Sequence, residues 1–375
     1  MPPYIHERGD WPNFKLNQEE LASQLADVRH LQGRLLGRME GLGFALRTQT
    51  SLENLTEEVI KSSEIEGERL DWDQVRSSFA RRLGVDIGAL TPVDRNVEGI
   101  VEMTIDATDH YDKALTKARL FGWHAALFPT GHNGMLKITV GAWRKDQAGP
   151  MQVISGSAGR ERVHYEAPVA PRVANEMAAF LRWFNARSDT DLVLKAGIAH
   201  LWFVTIHPFD DGNGRIARAL TDLMLARSEQ SAQRFYSVSA QIRAERNDYY
   251  KLLEATQKGD LDITPWMKWF LACLKRAFEG AEIELATVTD RAQFWQRHRT
   301  IVLNERQRLM LNKLLVGFDG KLTSSKWAKM AKCSADTALR DIDDLIEKRI
   351  LRRDAAGGRS TSYSLIDSVD KRGGS

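Results

Sequence analysis

The stretch His207-Pro208-Phe209-Asp210-Asp211-Gly212-Asn213-Gly214-Arg215-Ile216-Ala217-Arg218 decides how the chain is read. It gathers a His able to act as a base, two carboxylates, two glycines, an Asn and two Arg. Glycines let backbone N–H groups turn toward an anion, and a helix starting here adds the positive end of its dipole. Asp211 offers oxygen to a divalent cation, and magnesium usually takes one or two carboxylates together with substrate phosphates. Arg215 and Arg218 lie three apart, so they share a helix face and reach a polyphosphate together. This is the parts list of phosphoryl or nucleotidyl transfer.

Other readings of the same residues fail. With Gly212 at the sixth position of an EF-hand loop, the first and twelfth are His207 and Arg218; with Gly214 there, they are Phe209 and Leu220. Neither register supplies the ligands. Gly212-x-Gly214-x-x-Ala217 loosely matches a dinucleotide fingerprint, but Asp210 and Asp211 would repel the pyrophosphate. A turn with a helix cap accounts for Asp and Gly and leaves the His, the Asn and both Arg unexplained.

Outward from this stretch the chain reads as mainly α. Helical spacing of apolar residues covers 16–46, 52–70, 96–128, 174–185, 192–206, 215–228, 244–258 and 264–278. The segment 131–167 is Gly-rich, with short β-prone runs at 136–140, 152–154 and 162–165. It reads as loops and a β-hairpin turning through Ser155–Gly159. Residues 306–316, 324–332 and 335–348 form three short helical patterns, followed by β-prone 350–353 and 363–366. Three helices and a hairpin make a winged helix-turn-helix. The expected domains are 1–95, 96–285 and 300–367.

His207 to Arg218 matches the HPFxDGNGRxxR signature of the Fic family (filamentation induced by cAMP) at every fixed position. The resemblance extends over about residues 100–280 and includes His124–Phe128, the hairpin at 151–165 and the Tyr249-Tyr250 pair. It implies an all-α domain with a β-hairpin flap that moves AMP from ATP to a hydroxyl of a protein target. By that resemblance His207 is the base for the incoming Ser, Thr or Tyr hydroxyl, and Asp211 holds Mg²⁺. The amides around Gly212 and Gly214, with Asn213, cradle the α-phosphate; Arg215 and Arg218 meet the β- and γ-phosphates. Val153, Ile154, Ser155 and Gly156 form the flap that docks the target as an added strand. Tyr249 and Tyr250 line the adenine pocket.

Upstream, Ser62-Ser63-Glu64-Ile65-Glu66-Gly67 taken alone is an acidic helix end closed by glycine. It also resembles the [S/T]xxxE[G/N] inhibitory motif of the class whose inhibitory helix precedes the Fic core, with Ser62, Glu66 and Gly67 in the fixed places. Glu66 pairing with Arg218 would occupy the cation meant for the γ-phosphate. Some relatives use this Glu to remove AMP again, so reversal and self-modification stay open.

The net charge of +3 hides an asymmetry. Residues 291–375 carry 18 Lys and Arg against 10 Asp and Glu, and the other 290 residues carry 35 against 40. The basic tail suggests phosphate contact. Asp336, Asp341, Asp343, Asp344 and Glu347 on its third helix argue against a DNA groove, so DNA and protein both remain open partners, as does a homodimer. Two cysteines, 60 residues apart in sequence, exclude a disulfide framework and suit a reducing cytoplasm. The longest apolar run, Trp269–Leu274, is far too short to span a membrane. Two rivals remain: an ATP-sensing transcriptional regulator, and an enzyme of the same family moving another nucleotide or a phosphate group.

Overall fold

The computed structural model describes residues 4–134, 136–146, 149–156, 160, 162–316, 320–354 and 361–366. It divides into two compact units, Met1–Ala281 and Glu282–Ser375. The first holds a 3₁₀ turn at Ile5–Glu7 and helices α1 (Gln18–Glu40), α2 (Phe44–Ile65), α3 (Trp72–Leu83), α4 (Arg95–Asp109) and α5 (Lys117–Leu127). Two short antiparallel pairs follow, β1 (His132–Asn133) with β2 (Leu136–Lys137) and β3 (Gln152–Ser155) with β4 (Arg162–Glu166). Then come α6 (Ala170–Asn185), α7 (Leu192–Ile206), α8 (Asn213–Glu229), α9 (Val238–Ala244) and α10 (Arg246–Gln257). Helix α11 runs over Thr264–Arg297.

Every residue of α7 from Val193 to Ile206 is buried. A helix apolar all round belongs at the centre of a domain. Asp191 caps its start by accepting from the Val193 N–H at 2.8 Å, and His207 ends it in a left-handed turn. Helix α8 packs against it with an almost equally buried sequence, so the loop between them is fixed at both ends.

The helix expected over 16–46 is two helices, because Gly41-Leu42-Gly43 releases the chain between α1 and α2. The pattern at 96–128 is likewise broken, with Thr116 capping the start of α5 through the Arg119 N–H at 3.1 Å. Helix α3, which falls between the helical patterns of the sequence, is capped by Asp71, which accepts from the Gln74 N–H at 2.9 Å, and ends on Gly84 at φ 67°. Its Val75, Phe79 and Ala80 are fully buried.

Helices α4 and α5 approach closely at Gly99. A Cβ built there would stand 1.8 Å from the Ala126 carbonyl oxygen. Alanine would gain about 1 kcal/mol of helix propensity, but a backbone atom cannot step aside. Gly99→Ala is therefore expected to lower unfolding free energy by roughly 1–3 kcal/mol; a denaturant midpoint at or above that of the parent would contradict this contact.

The second unit holds α12 (Glu305–Val316), α13 (Ser324–Met330), α14 (Ala335–Glu347) and the antiparallel pair β5 (Leu351–Arg353) with β6 (Tyr363–Leu365). Its core gathers Phe294, Met310, Leu311, Trp327, Ile342, Leu345 and Leu351. The unit is thus three helices followed by an antiparallel strand pair; the tip of the expected wing lies outside the described residues. Asp341 is turned inward, accepting from Asn304 Nδ2 at 2.8 Å and Arg306 Nε at 2.8 Å. Asp344 accepts from Gln307 and Lys348, and Asp343 pairs with Arg353 at 2.9 Å. Three of the acids thus serve the unit itself.

Candidate active site

The site forms where α7 ends and α8 begins. His207 sits at φ 51°, a left-handed turn uncommon outside glycine. Two contacts hold it there: its N–H donates to the Phe203 carbonyl at 3.0 Å, and its own carbonyl accepts from Arg144 Nε at 2.7 Å. Arg144 is buried, donates its backbone N–H to the Pro208 carbonyl at 3.0 Å, and also reaches Asp146 and the Pro168 carbonyl. His207 Nδ1 lies 3.1 Å from the Val204 carbonyl oxygen. A carbonyl only accepts, so Nδ1 carries the proton and Nε2 keeps its lone pair. Burial pushes this imidazole below its ordinary pKa, which favours the neutral, proton-accepting form.

The loop itself is tied down by side chains. Asn213 accepts from the Phe209 N–H at 3.0 Å and donates to the Phe209 carbonyl at 2.9 Å, so its amide braces the turn. His124, buried and stacked on Phe209 at 4.2 Å, donates from Nε2 to the Asp211 carbonyl at 3.2 Å and accepts from the Gly141 N–H at 3.2 Å. Asp210 accepts from the Thr139 N–H at 2.9 Å. Asp211 accepts from Asn133 Nδ2 and from the Gly212 N–H, each at 2.5 Å.

Gly212, at φ 79°, is the N-cap of α8, and no side chain caps that end. A helix start left this way offers its first N–H groups to an anion. An anion is already there. A Cβ on Gly214 would stand 2.1 Å from Glu66 Oε1, so only glycine lets that carboxylate lie over the helix start. Arg218 Nη2 donates to Glu66 Oε1 at 2.8 Å and to the Ser62 carbonyl at 2.9 Å, while its Nε donates to Ser62 Oγ at 2.8 Å. Burial works against the Arg218 charge, and the Glu66 carboxylate raises its pKa nonetheless.

The end of α2 is shaped for this contact. Gly67 at φ 86° closes the helix, and the Glu68 N–H returns to the Ser63 carbonyl at 3.0 Å. Glu66 and Glu68 are thereby both presented to α8. Arg215 Nη1 donates to Glu68 Oε2 at 2.7 Å. Burial raises the Glu68 pKa, against the pull of Arg215. Glu68 gives no signal in the sequence because it lies beyond the Ser62–Gly67 motif. Arg218 Nη1 and Arg215 Nε remain buried without an acceptor, two donors still available to an anion. Helix α2 is anchored further back, where Glu58 accepts from Ser237 Oγ at 2.7 Å and the Ser239 N–H at 2.9 Å.

The remaining expected residues lie around this centre. Tyr250 is partly buried, with Oη 3.5 Å from the Ile65 carbonyl. Tyr249 is a core residue, 2% exposed, with Oη donating to His200 Nε2 at 2.9 Å. Val153, Ile154 and Ser155 lie in β3, with Gly156 next to them. The hairpin is tied to the end of α7, just before His207, by Tyr165, whose Oη donates to the Thr205 carbonyl at 2.7 Å. Among the described residues no group of three or more His, Cys, Asp or Glu is arranged to hold a metal, and no helix is long and apolar enough to cross a membrane.

The Fic/DOC family profile matches residues 114–225, which include the whole of this loop. The chain carries a Fic domain. Residues 4–85 match a domain of unknown function, DUF4172, which takes in α2 and both covering carboxylates. The chain is 32% identical over 129 residues to protein adenylyltransferase Fic of Drosophila yakuba, covering 33% of this chain and 24% of that one. It is 39% identical over 97 residues to protein adenylyltransferase fic-1 of Caenorhabditis briggsae, covering 25% and 18%. The chain thus spans about a quarter or less of those curated relatives. Its fold is similar to a Fic family protein from Desulfovibrio desulfuricans (TM-score 0.52, 22% identity, 92% of this chain and 95% of that one). It also resembles a Fic domain containing signaling protein from Bacteroides thetaiotaomicron (TM-score 0.50, 19% identity, 68% and 95%).

Two buried histidines of this Fic domain titrate far from the ordinary value. Burial lowers His124 to about 4 and His200 to about 3. A depressed folded-state pKa contributes stability that is full above the unfolded value near 6.5 and is lost as pH falls below it. Each is expected to remove about 1.4 kcal/mol per pH unit between pH 6.5 and its folded pKa. Urea midpoints from pH 7 to pH 4.5 check this, and His200→Gln should flatten the curve. A flat profile in the parent would contradict the neutral assignment.

Proposed function

We propose that the chain transfers AMP from ATP to a hydroxyl of a protein target and that the end of α2 restrains it. The observation that carries this reading is the Glu66 carboxylate on Arg218 and over the start of α8. An anion from the same chain occupies the place where the signature expects phosphate. His207 Nε2 takes the hydroxyl proton, the α8 amides receive the α-phosphate, and Arg215 and Arg218 receive the phosphates beyond it. The unpartnered Arg215 Nε and Arg218 Nη1 fit such a ligand. Asp211 is a single carboxylate, a donor set that suits Mg²⁺ only in company with phosphate oxygens; bound there, the ion would neutralise phosphate charge. The exposed edge of β3 would receive the target segment.

For the tail we favour protein contact over DNA. The solvent face of α14 presents Asp336, Leu339, Arg340, Asp343 and Glu347, and acids repel a phosphate backbone.

The nucleotide and the group moved are tested together. Purified Glu66→Gly protein is given a cell lysate with α-³²P ATP, GTP, CTP or UTP, and in parallel with γ-³²P ATP. The expected result is labelling from α-³²P ATP alone. Label from the γ-position would show phosphate transfer and overturn the reading.

A further inference from the structure

Helix α2 ends beside the residue that occupies the anion site, and its last carbonyls show what holds that end. The last four C=O groups of a helix have no partner within it. Here all four are met. The Ser63 carbonyl accepts from the Glu66 and Glu68 N–H groups at 3.1 and 3.0 Å, and the Glu64 carbonyl from the Gly67 N–H at 3.1 Å. Those bonds belong to the turn itself. The other two carbonyls are met by arginines distant in sequence, Ser62 by Arg218 Nη2 at 2.9 Å and Ile65 by Arg246 Nε at 3.0 Å.

The two arginines differ in what else they serve. Arg218 belongs to the His207–Arg218 loop, so a phosphate there competes for it. Arg246 lies outside that loop, at the first residue of α10. A cation there sits at the unfavourable end of its own helix dipole; at Ile65 the same charge meets the favourable end of α2. The neighbouring acid, Glu245, is paired with Arg276 instead, at 2.6 Å. The Arg246 guanidinium lies 5.2 Å from the Tyr250 ring centroid, one turn further along α10, and Tyr250 Oη is 3.5 Å from the same Ile65 carbonyl. The tyrosine thus steers the arginine across the end of α2.

Closing a helix end would by itself explain a cation near these carbonyls. The choice of carbonyl says more. The Ile65 C=O and the Glu66 N–H share one rigid peptide plane. Fixing that oxygen fixes the plane from which the Glu66 side chain leaves for Arg218.

We propose that Arg246 is a positioning residue for the brake: by holding the Ile65 carbonyl it aims the Glu66 carboxylate at Arg218. This rests on the reading above in which Glu66 restrains AMP transfer. Arg246 itself serves neither nucleotide nor target.

The first test is labelling of lysate proteins with α-³²P ATP below saturation, using the full chain as parent, Arg246→Ala, Glu66→Gly and Glu66→Gly/Arg246→Ala. Arg246 is exposed and its contact only partly buried, so one charge-assisted hydrogen bond at the low end of the usual range is at stake. Arg246→Ala is expected to label about 3- to 10-fold more than the parent. In the Glu66→Gly background the same change should leave labelling within about twofold, because no carboxylate remains to be aimed. Arg243→Ala is the control for charge. It removes a cation near the same end, where Arg243 Nε meets the Glu64 side chain at 3.4 Å and is 44% exposed. It should stay within about twofold of the parent.

Strong labelling by Glu66→Gly with none gained by Arg246→Ala overturns this inference and leaves the brake standing. So does an equal gain from Arg243→Ala, or a loss caused by Arg246→Ala in the Glu66→Gly background. No gain from Glu66→Gly over the parent removes the brake and this inference together. A second measurement needs no transfer at all. Hydrogen exchange of the Glu66, Gly67 and Glu68 amides, without nucleotide, should be at least threefold faster in Arg246→Ala than in the parent; unaltered exchange overturns the inference whatever the labelling shows.

Discussion

Glu66→Gly is expected to raise AMP labelling of lysate proteins by roughly 10- to 100-fold. The estimate follows from one contact. Arg218 gives Nη2 to the Glu66 carboxylate at 2.8 Å in a buried setting. A hydrogen bond between charged groups is worth about 1.5–3 kcal/mol, and each 1.4 kcal/mol is tenfold. ATP must displace this contact to use the same guanidinium, so removing the carboxylate returns that energy to nucleotide binding. Glu68 on Arg215 should act in the same direction with a smaller effect. Its carboxyl is raised by burial, so its pairing competes with its own desolvation. The double variant Glu66→Gly/Glu68→Gln is expected to exceed the single one. Equal labelling by Glu66→Gly and parent, at matched ATP and Mg²⁺, would remove the brake.

Removing the proposed base, His207, is expected to have the opposite sign and a larger size. A positioned general base contributes typically 10²–10⁴-fold, so His207→Asn should cut target labelling by at least about a hundredfold. Asparagine is the sounder replacement because it tolerates the left-handed φ of 51° at this position, whereas alanine there carries added strain. The variant should keep the parental unfolding midpoint, since the Arg144 anchor is made to backbone carbonyls. A midpoint several degrees lower would mean the loss reflects the fold.

The His207–Arg218 loop was legible because its chemistry is local. His, Asp, Gly, Asn and Arg at fixed spacing state an anion site, and α7 announces its length through a mostly apolar stretch ending at His207. Contacts that depend on distant segments were not legible. Arg144 gives no pattern in sequence; only folding brings it under the His207 carbonyl. Glu68 reads as one more surface acid until Gly67 turns the chain. The resemblance implies both Tyr249 and Tyr250 beside adenine; successive residues on a helix face different ways, and Tyr249 Oη meets His200 in the core. The acids of α14 looked like a repulsive face; Asp341 instead points inward to Arg306, a contact between residues 35 apart in the chain.

The central claim is that the His207–Arg218 loop moves AMP and that the end of α2 holds it back. Labelling a lysate with α-³²P ATP, using the parent, Glu66→Gly and Glu66→Gly/His207→Asn side by side, tests both halves at once. The account predicts weak labelling by the parent, strong labelling by Glu66→Gly, and loss of target labelling in the double variant. Target labelling that persists at the Glu66→Gly level without His207 would contradict it.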